Sequence, residues 1–434
     1  MPSTPLRASH FRTFGLNESS RLPLRRFLCG RLALDDKACE AITTFLLKRS
    51  DEVRGRDTFG IVYDITRICN LECAHCCVNA IFMRDPGGVQ FETTTAQVRT
   101  ILKRVYDYAA ARAFPNVFLI FGGGEPTLRP DFEDIAGYAC SLFGQRGVGI
   151  NTNGTALTLQ QLKRLSRSLG FIEISIDGFE ANHNAWRDPR ARTEFSSPYQ
   201  KTLDLVKQIV ADEELAPKLE VSSAVTTDNI LELRAFAQYL ASLEVKHYSI
   251  HRAMPVGRMG HQFSKIPTMD QYIRLLLDVA WLRTHTSLKS LHLHHSLETI
   301  YSVLFLGYDI HASSLLAGSG RHSVGIDPYG NVYFDPWCVV PPFATLVAGN
   351  LLAESTTLQE IVEADGSLIR LADETAKQAL RCRGCRMKCS GGMRFNALGH
   401  FLFSRFGDNI YKAQVTDMIA GLSEIDPACP LYEP

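Results

Sequence analysis

No apolar run in the 434-residue chain approaches the ~18 residues that span a bilayer. No N-terminal stretch has the basic, apolar and small-residue order of a secretory signal. Both absences set the expectation of a cytoplasmic protein. Net charge is missing too: lysine plus arginine and aspartate plus glutamate both number 46, so neither a nucleic-acid binder nor a membrane-surface protein is expected. The one local imbalance lies in residues 1–31, with six arginines and the single acid Glu18. An organellar transit peptide has that composition, and so does a solvated face or one that meets an anionic partner. The length suits two or three domains at about 150 residues each.

What the chain does have is cysteine. Twelve of them without a secretion signal point to metal ligands before disulfides. Cys29, Cys39 and Cys140 stand alone in apolar or helical contexts and read as buried free thiols. Three others crowd one stretch, Cys69-Asn70-Leu71-Glu72-Cys73-Ala74-His75-Cys76. Four thiolates close a cube of four irons and four sulfides, whereas a C-x3-C-x2-C hook offers three and leaves one iron open to a substrate or cofactor. Cys77 would reach a second corner only with strain, so it reads as a neighbour of the site. Zinc is the plain alternative, but zinc sites pair two short hooks, and no second pair lies near this one.

Along the chain, Ala38, Ile42, Phe45 and Leu46 recur at helical spacing within residues 36–48, which predicts a cap on the main domain. From Gly60 onward short apolar runs at 61–65, 117–121, 148–151, 171–176, 219–225 and 248–251 alternate with helical patterns at 95–112, 131–143, 157–168, 198–211 and 229–243. Strand-then-helix units in series predict a parallel sheet with helices outside. In such folds chemistry gathers at the C-terminal strand ends, and Cys69, Gly123, Asn151, Asp177, Thr226 and Arg252 fall there. A further helix is predicted at 269–282. His292 and His294 alternate with leucines; with no acidic or cysteine partner nearby in sequence, they read as a lone half-exposed strand and not as a metal site. A hairpin at 324–333 turns at Pro328-Tyr329-Gly330-Asn331. Cys338, then Cys382, Cys385 and Cys389, and last Cys429 follow it.

The C-x3-C-x2-C hook directly after an apolar strand is followed by Gly123-Gly124-Glu125-Pro126, Asn151-Thr152-Asn153-Gly154 and Ser175-Ile176-Asp177-Gly178, with His183 and Arg187 after them. In that order these motifs resemble the radical S-adenosylmethionine (SAM) enzymes, over roughly residues 58–260. The resemblance implies an α/β fold, a partial (β/α)6 TIM barrel, and a 4Fe–4S cluster on Cys69, Cys73 and Cys76 whose open iron binds SAM. It implies reductive cleavage of SAM to a 5'-deoxyadenosyl radical that abstracts hydrogen from a substrate, with an external one-electron donor of flavodoxin or ferredoxin type. Gly123 and Gly124 would admit the methionine end of SAM closely, and Glu125 would receive its ammonium group. Asn153 and Ser175 would meet ribose or carboxylate, Arg187 would pair the carboxylate bidentately, and the backbone of Met254 and Pro255 would meet the adenine edge.

The C-terminal part resembles the SPASM or shortened twitch domain that many peptide-modifying members carry. It departs from the full pattern, with Leu315 and Ala317 where a cysteine precedes the hairpin and Met393 where one follows Gly-Gly. One auxiliary cluster is therefore expected to be absent and a second 4Fe–4S cluster to rest on Cys382, Cys385, Cys389 and Cys429. Cys338 is then the spare, either a replacement for one of these ligands or a buried thiol, and a zinc knuckle is the alternative for this group. The expected domains are an N-terminal cap (1–57), the radical SAM partial barrel (58–265), a helical connector (266–313) and a small SPASM/twitch-like iron–sulfur domain (314–434). The expected substrate is a ribosomally made peptide, cross-linked, oxidised or epimerised. The alternative is a small molecule, in sugar or aminocyclitol dehydrogenation or related natural-product biosynthesis. A non-catalytic iron–sulfur or zinc scaffold is disfavoured by the strand-end motifs.

Overall fold

The computed structural model describes residues 30, 32–53, 58–85, 92–188, 190, 191, 193–293, 298, 323–333, 336–340, 343–345, 347–364 and 392–421. Cys29, Cys382, Cys385, Cys389 and Cys429, with His294, Leu315 and Ala317, lie outside them.

Strand β1 (Thr58–Thr66) leads into β2 (Ile68–Cys69), which pairs with β3 (Ile81–Phe82) apart from the main sheet. Then follow β4 (Asn116–Gly123), β5 (Val148–Thr152), β6 (Phe171–Ser175), β7 (Leu219–Val225), β8 (His247–Arg252), β9 (Ser290–Leu293), β10 (Ser323–Ile326), β11 (Asn331–Tyr333) and β12 (Gly349–Asn350). The main sheet runs β12-β11-β10-β1-β4-β5-β6-β7-β8-β9. From β10 through β9 every pairing is parallel, so each crossover needs a covering element. Helices α1 (Asp36–Val53), α2 (Thr95–Ala111), α3 (Phe132–Phe143), α4 (Leu159–Leu165), α5 (Glu180–Arg187), α6 (Pro198–Val210), α7 (Leu233–Ser242), α8 (Gly257–His261) and α9 (Met269–His285) precede β10. The mostly parallel α/β architecture expected from the alternation of strand and helix patterns is present.

Local chemistry starts these helices where the sequence says it should. Thr94 with Gln97, Thr158 with Gln161 and Thr268 with Gln271 form reciprocal capping boxes on α2, α4 and α9. Ser197 caps α6 with Pro198 behind it. Val98, Ile101, Leu102 and Val105 on α2 and Phe59, Ile61, Tyr63 and Ile65 on β1 enter one apolar core between sheet and helices. That core extends through Leu119, Phe121, Ile172, Ile174, Val221, Val225, Tyr248 and Ile250. Parallel sheets buried on both faces read as continuous apolar runs, but these strands alternate. The residues between the apolar ones therefore line the opposite, concave face.

Two expectations need correction. The strand carrying His292 is not a lone half-exposed one: β9 pairs in parallel with β8, with Leu291 and Leu293 in the main core, because the helix before it completes another crossover. His292 also has an acidic neighbour that sequence distance hid, with Nε2 3.7 Å from Glu220 Oε1. Cys39, read as a free thiol, is disulfide-bonded, while Cys140 is free. Around it Ile42, Phe45 and Leu46 of α1 join the main core, so this segment packs on the sheet as the cap reading expected.

The hairpin of β10 and β11 has the predicted antiparallel pairing, yet β10 adds in parallel to the free edge of β1. The C-terminal part thereby shares the barrel's own sheet. A second apolar cluster joins Met254 and Val256 after β8 to Tyr333, Cys338, Val339, Val340 and Phe343, and to Leu398, Leu402 and Phe403 of a helix at Gly392–Phe406. Cys338 is buried within it. Among the described residues no helix is long and apolar enough to cross a membrane.

Candidate functional site

The cysteine hook is a loop closed at its base. Ile68 and Cys69 stand opposite Ile81 and Phe82 in the two-residue parallel pair, and Met83 N donates to Cys69 O at 2.8 Å. Within the loop Cys69, Cys73 and Cys76 share one small apolar cluster with Leu71, Ala80, Val78 and Phe195. Cys77 packs against the other apolar cluster. Backbone amides already point at two of the sulfurs: Leu71 N lies 3.4 Å from Cys69 Sγ and Ala80 N 3.4 Å from Cys76 Sγ. Asn153 Nδ2 lies 3.7 Å from Cys69 Sγ. Donors aimed at sulfur suit thiolates.

Burial pushes the Cys69 thiol well above its ordinary value and Cys73 up to about 12, against the pull of Arg187. Cys69, buried, donor-solvated and hard to ionise, fits a ligand role in which bound iron supplies the missing charge. Among the described residues no three His, Cys, Asp or Glu side chains converge to hold a single ion. Zinc needs its donors about 2.3 Å from one point, whereas a four-iron cube gives each thiolate its own iron. The donor set therefore fits a cluster better than zinc.

The next two strand ends build the wall beside the hook. Gly124 N donates to Thr66 O at 2.7 Å and Glu125 N to Ile68 O at 2.8 Å, so the Gly-Gly-Glu segment runs against the chain that enters Cys69. A Cβ on Gly123, whose φ is +108°, would stand 2.4 Å from Thr66 O, and one on Gly124 2.1 Å from Ile68 O. Only glycine fits at either place. Glu125 is wholly buried. Its Oε1 accepts from Thr127 N, Thr127 Oγ1 and Thr152 Oγ1 at 3.2, 2.6 and 2.7 Å. Its Oε2 accepts from Asn153 N at 2.8 Å. Burial raises the Glu125 carboxyl against the lowering by these bonds. Asn153 Nδ2 donates to Asn70 Oδ1 at 3.0 Å, and Asn70 Nδ2 to Thr155 Oγ1 at 2.8 Å, which ties the end of β5 to the hook.

Beyond β6, Asp177 is the hub. Its Oδ1 accepts from Arg187 Nη2 and Ala224 N, both at 2.9 Å. Its Oδ2 accepts from Arg187 Nε at 2.7 Å and lies 3.0 Å from His75 Nε2. Burial alone would raise this carboxyl, but Arg187 and His75 outweigh it and hold it well below the carboxylate range. Its amide donates to His183 Nδ1, and burial drops His183 to about 3, so that ring is neutral with its proton on Nε2. Arg187 thus spends Nε and Nη2 on Asp177, leaving Nη1 as the atom that could reach a cofactor carboxylate. Ser175 is half-buried at the end of β6. His75 packs edge-on to Trp186, whose carbonyl receives Ala74 N at 2.7 Å.

The concave face below carries acids that sequence reasoning passed over. Glu173 and Glu220 are register partners on β6 and β7. His251 Nε2 lies 3.8 Å from Glu173 Oε1, and His292 Nε2 3.7 Å from Glu220 Oε1. Asn151, partnered in register with Glu173, presents a buried Oδ1 without a hydrogen bond, and on β1 burial pushes Asp64 up to about 7. Barrel interiors are ordinarily packed with branched apolar side chains. The signal was present as single polar residues alternating with apolar ones, Ile172-Glu173-Ile174 and Leu291-His292-Leu293.

Residues 63–211 match the radical SAM superfamily. The mycofactocin maturase MftC of Mycobacterium tuberculosis (strain CDC 1551 / Oshkosh) is 28% identical over 302 residues, 68% of each chain. The solved structure of anSMEcpe with bound AdoMet and the Cp18Cys peptide superposes with a TM-score of 0.58 at 18% identity, over 86% of this chain and 94% of that one. Streptococcus suis SuiB bound to its precursor peptide SuiA does so with a TM-score of 0.56 at 14% identity, over 86% and 79%.

Proposed function

We propose that this chain, which matches the radical SAM superfamily over residues 63–211, is a radical SAM enzyme that modifies a ribosomally made peptide by radical chemistry. The family's cofactors are a 4Fe–4S cluster and SAM, which when bound supply a carbon-centred radical able to take hydrogen from unactivated carbon. The observation that carries the reading is the loop of Cys69, Cys73 and Cys76, three cysteines in one small apolar cluster with backbone amides aimed at two of the sulfurs. Those thiolates would hold the cluster. Gly123 and Gly124 bring the wall close to it, and Glu125 Oε2, Asn153, Ser175 and Arg187 Nη1 would meet SAM. The polar concave face, with Glu173, His251, Glu220 and His292, would hold the substrate group by hydrogen bonds.

Support for a peptide comes from the relatives: the name of the M. tuberculosis protein is that of a maturase, and the two superposed structures contain peptides. Cys382, Cys385, Cys389 and Cys429 would carry the second cluster, which would take an electron from the substrate radical, in a SPASM/twitch-like segment. A flavodoxin- or ferredoxin-type donor would reduce the first.

Co-expression with short peptides encoded beside the gene, followed by mass spectrometry, tests the substrate class. A loss of two hydrogens or a new cross-link in one peptide is expected. Unmodified peptides together with oxidation of a sugar or aminocyclitol would replace this reading with the small-molecule one. Glu125→Ala is expected to weaken SAM binding to the cluster-loaded chain roughly tenfold to a hundredfold, about 1.5–3 kcal/mol, through loss of a charge-assisted hydrogen bond. Isothermal titration checks it, and parent-like affinity would confine Glu125 to holding the end of β5.

A further inference from the structure

Resting on the radical SAM reading, we propose that Arg258 is a positioning residue for the cluster: it latches the cysteine loop and sets a buried positive charge beside it that favours the reduced state. The loop after β8 bends over the hook at Gly257, whose φ of +57° is left-handed. A Cβ there would stand 2.6 Å from Cys76 O and 2.8 Å from Cys77 O, so the approach requires glycine. Arg258 follows. Its amide donates to Cys76 O at 2.9 Å, its Nε to Cys73 O at 2.7 Å and its Nη1 to Ala80 O at 2.8 Å. One residue thus holds three carbonyls across the segment that carries two of the three thiols.

The remaining nitrogen, Nη2, is buried without a hydrogen-bond partner. A guanidinium cannot shed its proton, and a buried donor left unmet is costly; an anionic group held by the loop would meet it. Two such groups are at issue, the cluster's own sulfur and the carboxylate of SAM, and the hydrogen bonds to Cys73 and Ala80 favour the cluster. Arg187, the other arginine beside the hook, is paired with Asp177. Among the described residues no carboxylate neutralises Arg258 in that way. A cluster gains one negative charge on reduction, and its potential follows local charge and hydrogen bonds to sulfur. A buried cation close by is screened little by salt, so it stabilises the reduced form more than the oxidised one.

The test is a redox titration of the SAM-responsive electron paramagnetic resonance signal in the anaerobically reconstituted full-length chain. In Arg258→Gln the ratio of reduced to oxidised cluster at a fixed potential is expected to fall about tenfold, a 59 mV drop for one electron, and Arg258→Lys should restore most of it. Arg258→Lys keeps the charge but not the fork, so it should release iron to a chelator faster than the parent. A parent-like potential in Arg258→Gln would overturn the electrostatic role, and parent-like iron release in Arg258→Lys would overturn the latch. Should Arg258→Gln not load iron, a lowered potential in Arg258→Lys overturns the proposal, because charge is retained there. An unchanged potential with weakened SAM binding would give Nη2 to the cofactor carboxylate and also overturn it. The family reading fails separately, if the parent itself holds no SAM-responsive cluster.

Discussion

Asp177→Ala is expected to lower the unfolding free energy of the chain by about 3–5 kcal/mol, the usual cost of stranding one partner of a buried ion pair. Asp177 is 1% exposed, and its loss leaves the Arg187 guanidinium, Ala224 N and the His75 ring without their acceptor. Against a typical total of about 5–15 kcal/mol, that is a large share. The same side chain joins the hook, α5 and β7, so reconstituted Asp177→Ala should also retain iron poorly. pH gives the independent check. The folded carboxyl is held below its unfolded value, so its stabilisation is present above about pH 4, the unfolded carboxylate value, and is lost as pH falls through the folded value. Asp177→Asn should therefore be less stable than the parent at pH 7 and lose less stability on acidification. Urea denaturation at pH 7 and below pH 4 measures both; equal stability at neutral pH would remove Asp177 as the hub.

The second large effect concerns iron. If Cys382, Cys385, Cys389 and Cys429 ligate a cluster of their own, the reconstituted chain should hold about eight irons and the combined alanine variant of Cys69, Cys73 and Cys76 about four. Four irons with one zinc in the parent would make the C-terminal group a structural knuckle and withdraw its electron-acceptor role. Twelve would restore the auxiliary cluster that Leu315, Ala317 and Met393 argue against. Cys338→Ala should leave the count unchanged, since that thiol is buried in an apolar cluster with Met254, Val340 and Phe343.

The fold was legible because local and long-range signals agreed. Strand periods at 61–65 and 219–225 and capping threonines such as Thr94 and Thr268 name their elements without help from packing. The cysteine hook and the strand-end motifs were legible as short runs of chemically unusual residues. Contacts between segments far apart in sequence were not. Nothing local says that Asp177 meets His75, that Arg258 reaches back to Cys73 and Ala80, or that His292 faces Glu220. Those pairings follow from the parallel order of the strands, which sets residues distant in sequence side by side at the same level of the sheet. The parallel addition of β10 to β1 was hidden in the same way, since a hairpin pattern does not reveal which edge it joins.

The most direct test of the account is reductive cleavage of SAM by the anaerobically reconstituted full-length chain, with 5'-deoxyadenosine measured by chromatography. The parent is expected to form it under dithionite, alanine at Cys69, Cys73 or Cys76 to reduce it to background because two thiolates cannot hold the cube, and Cys77→Ala to keep it. A parent that forms none, or any of the three single variants turning over at the parent rate, would contradict the claim that this loop holds the catalytic cluster.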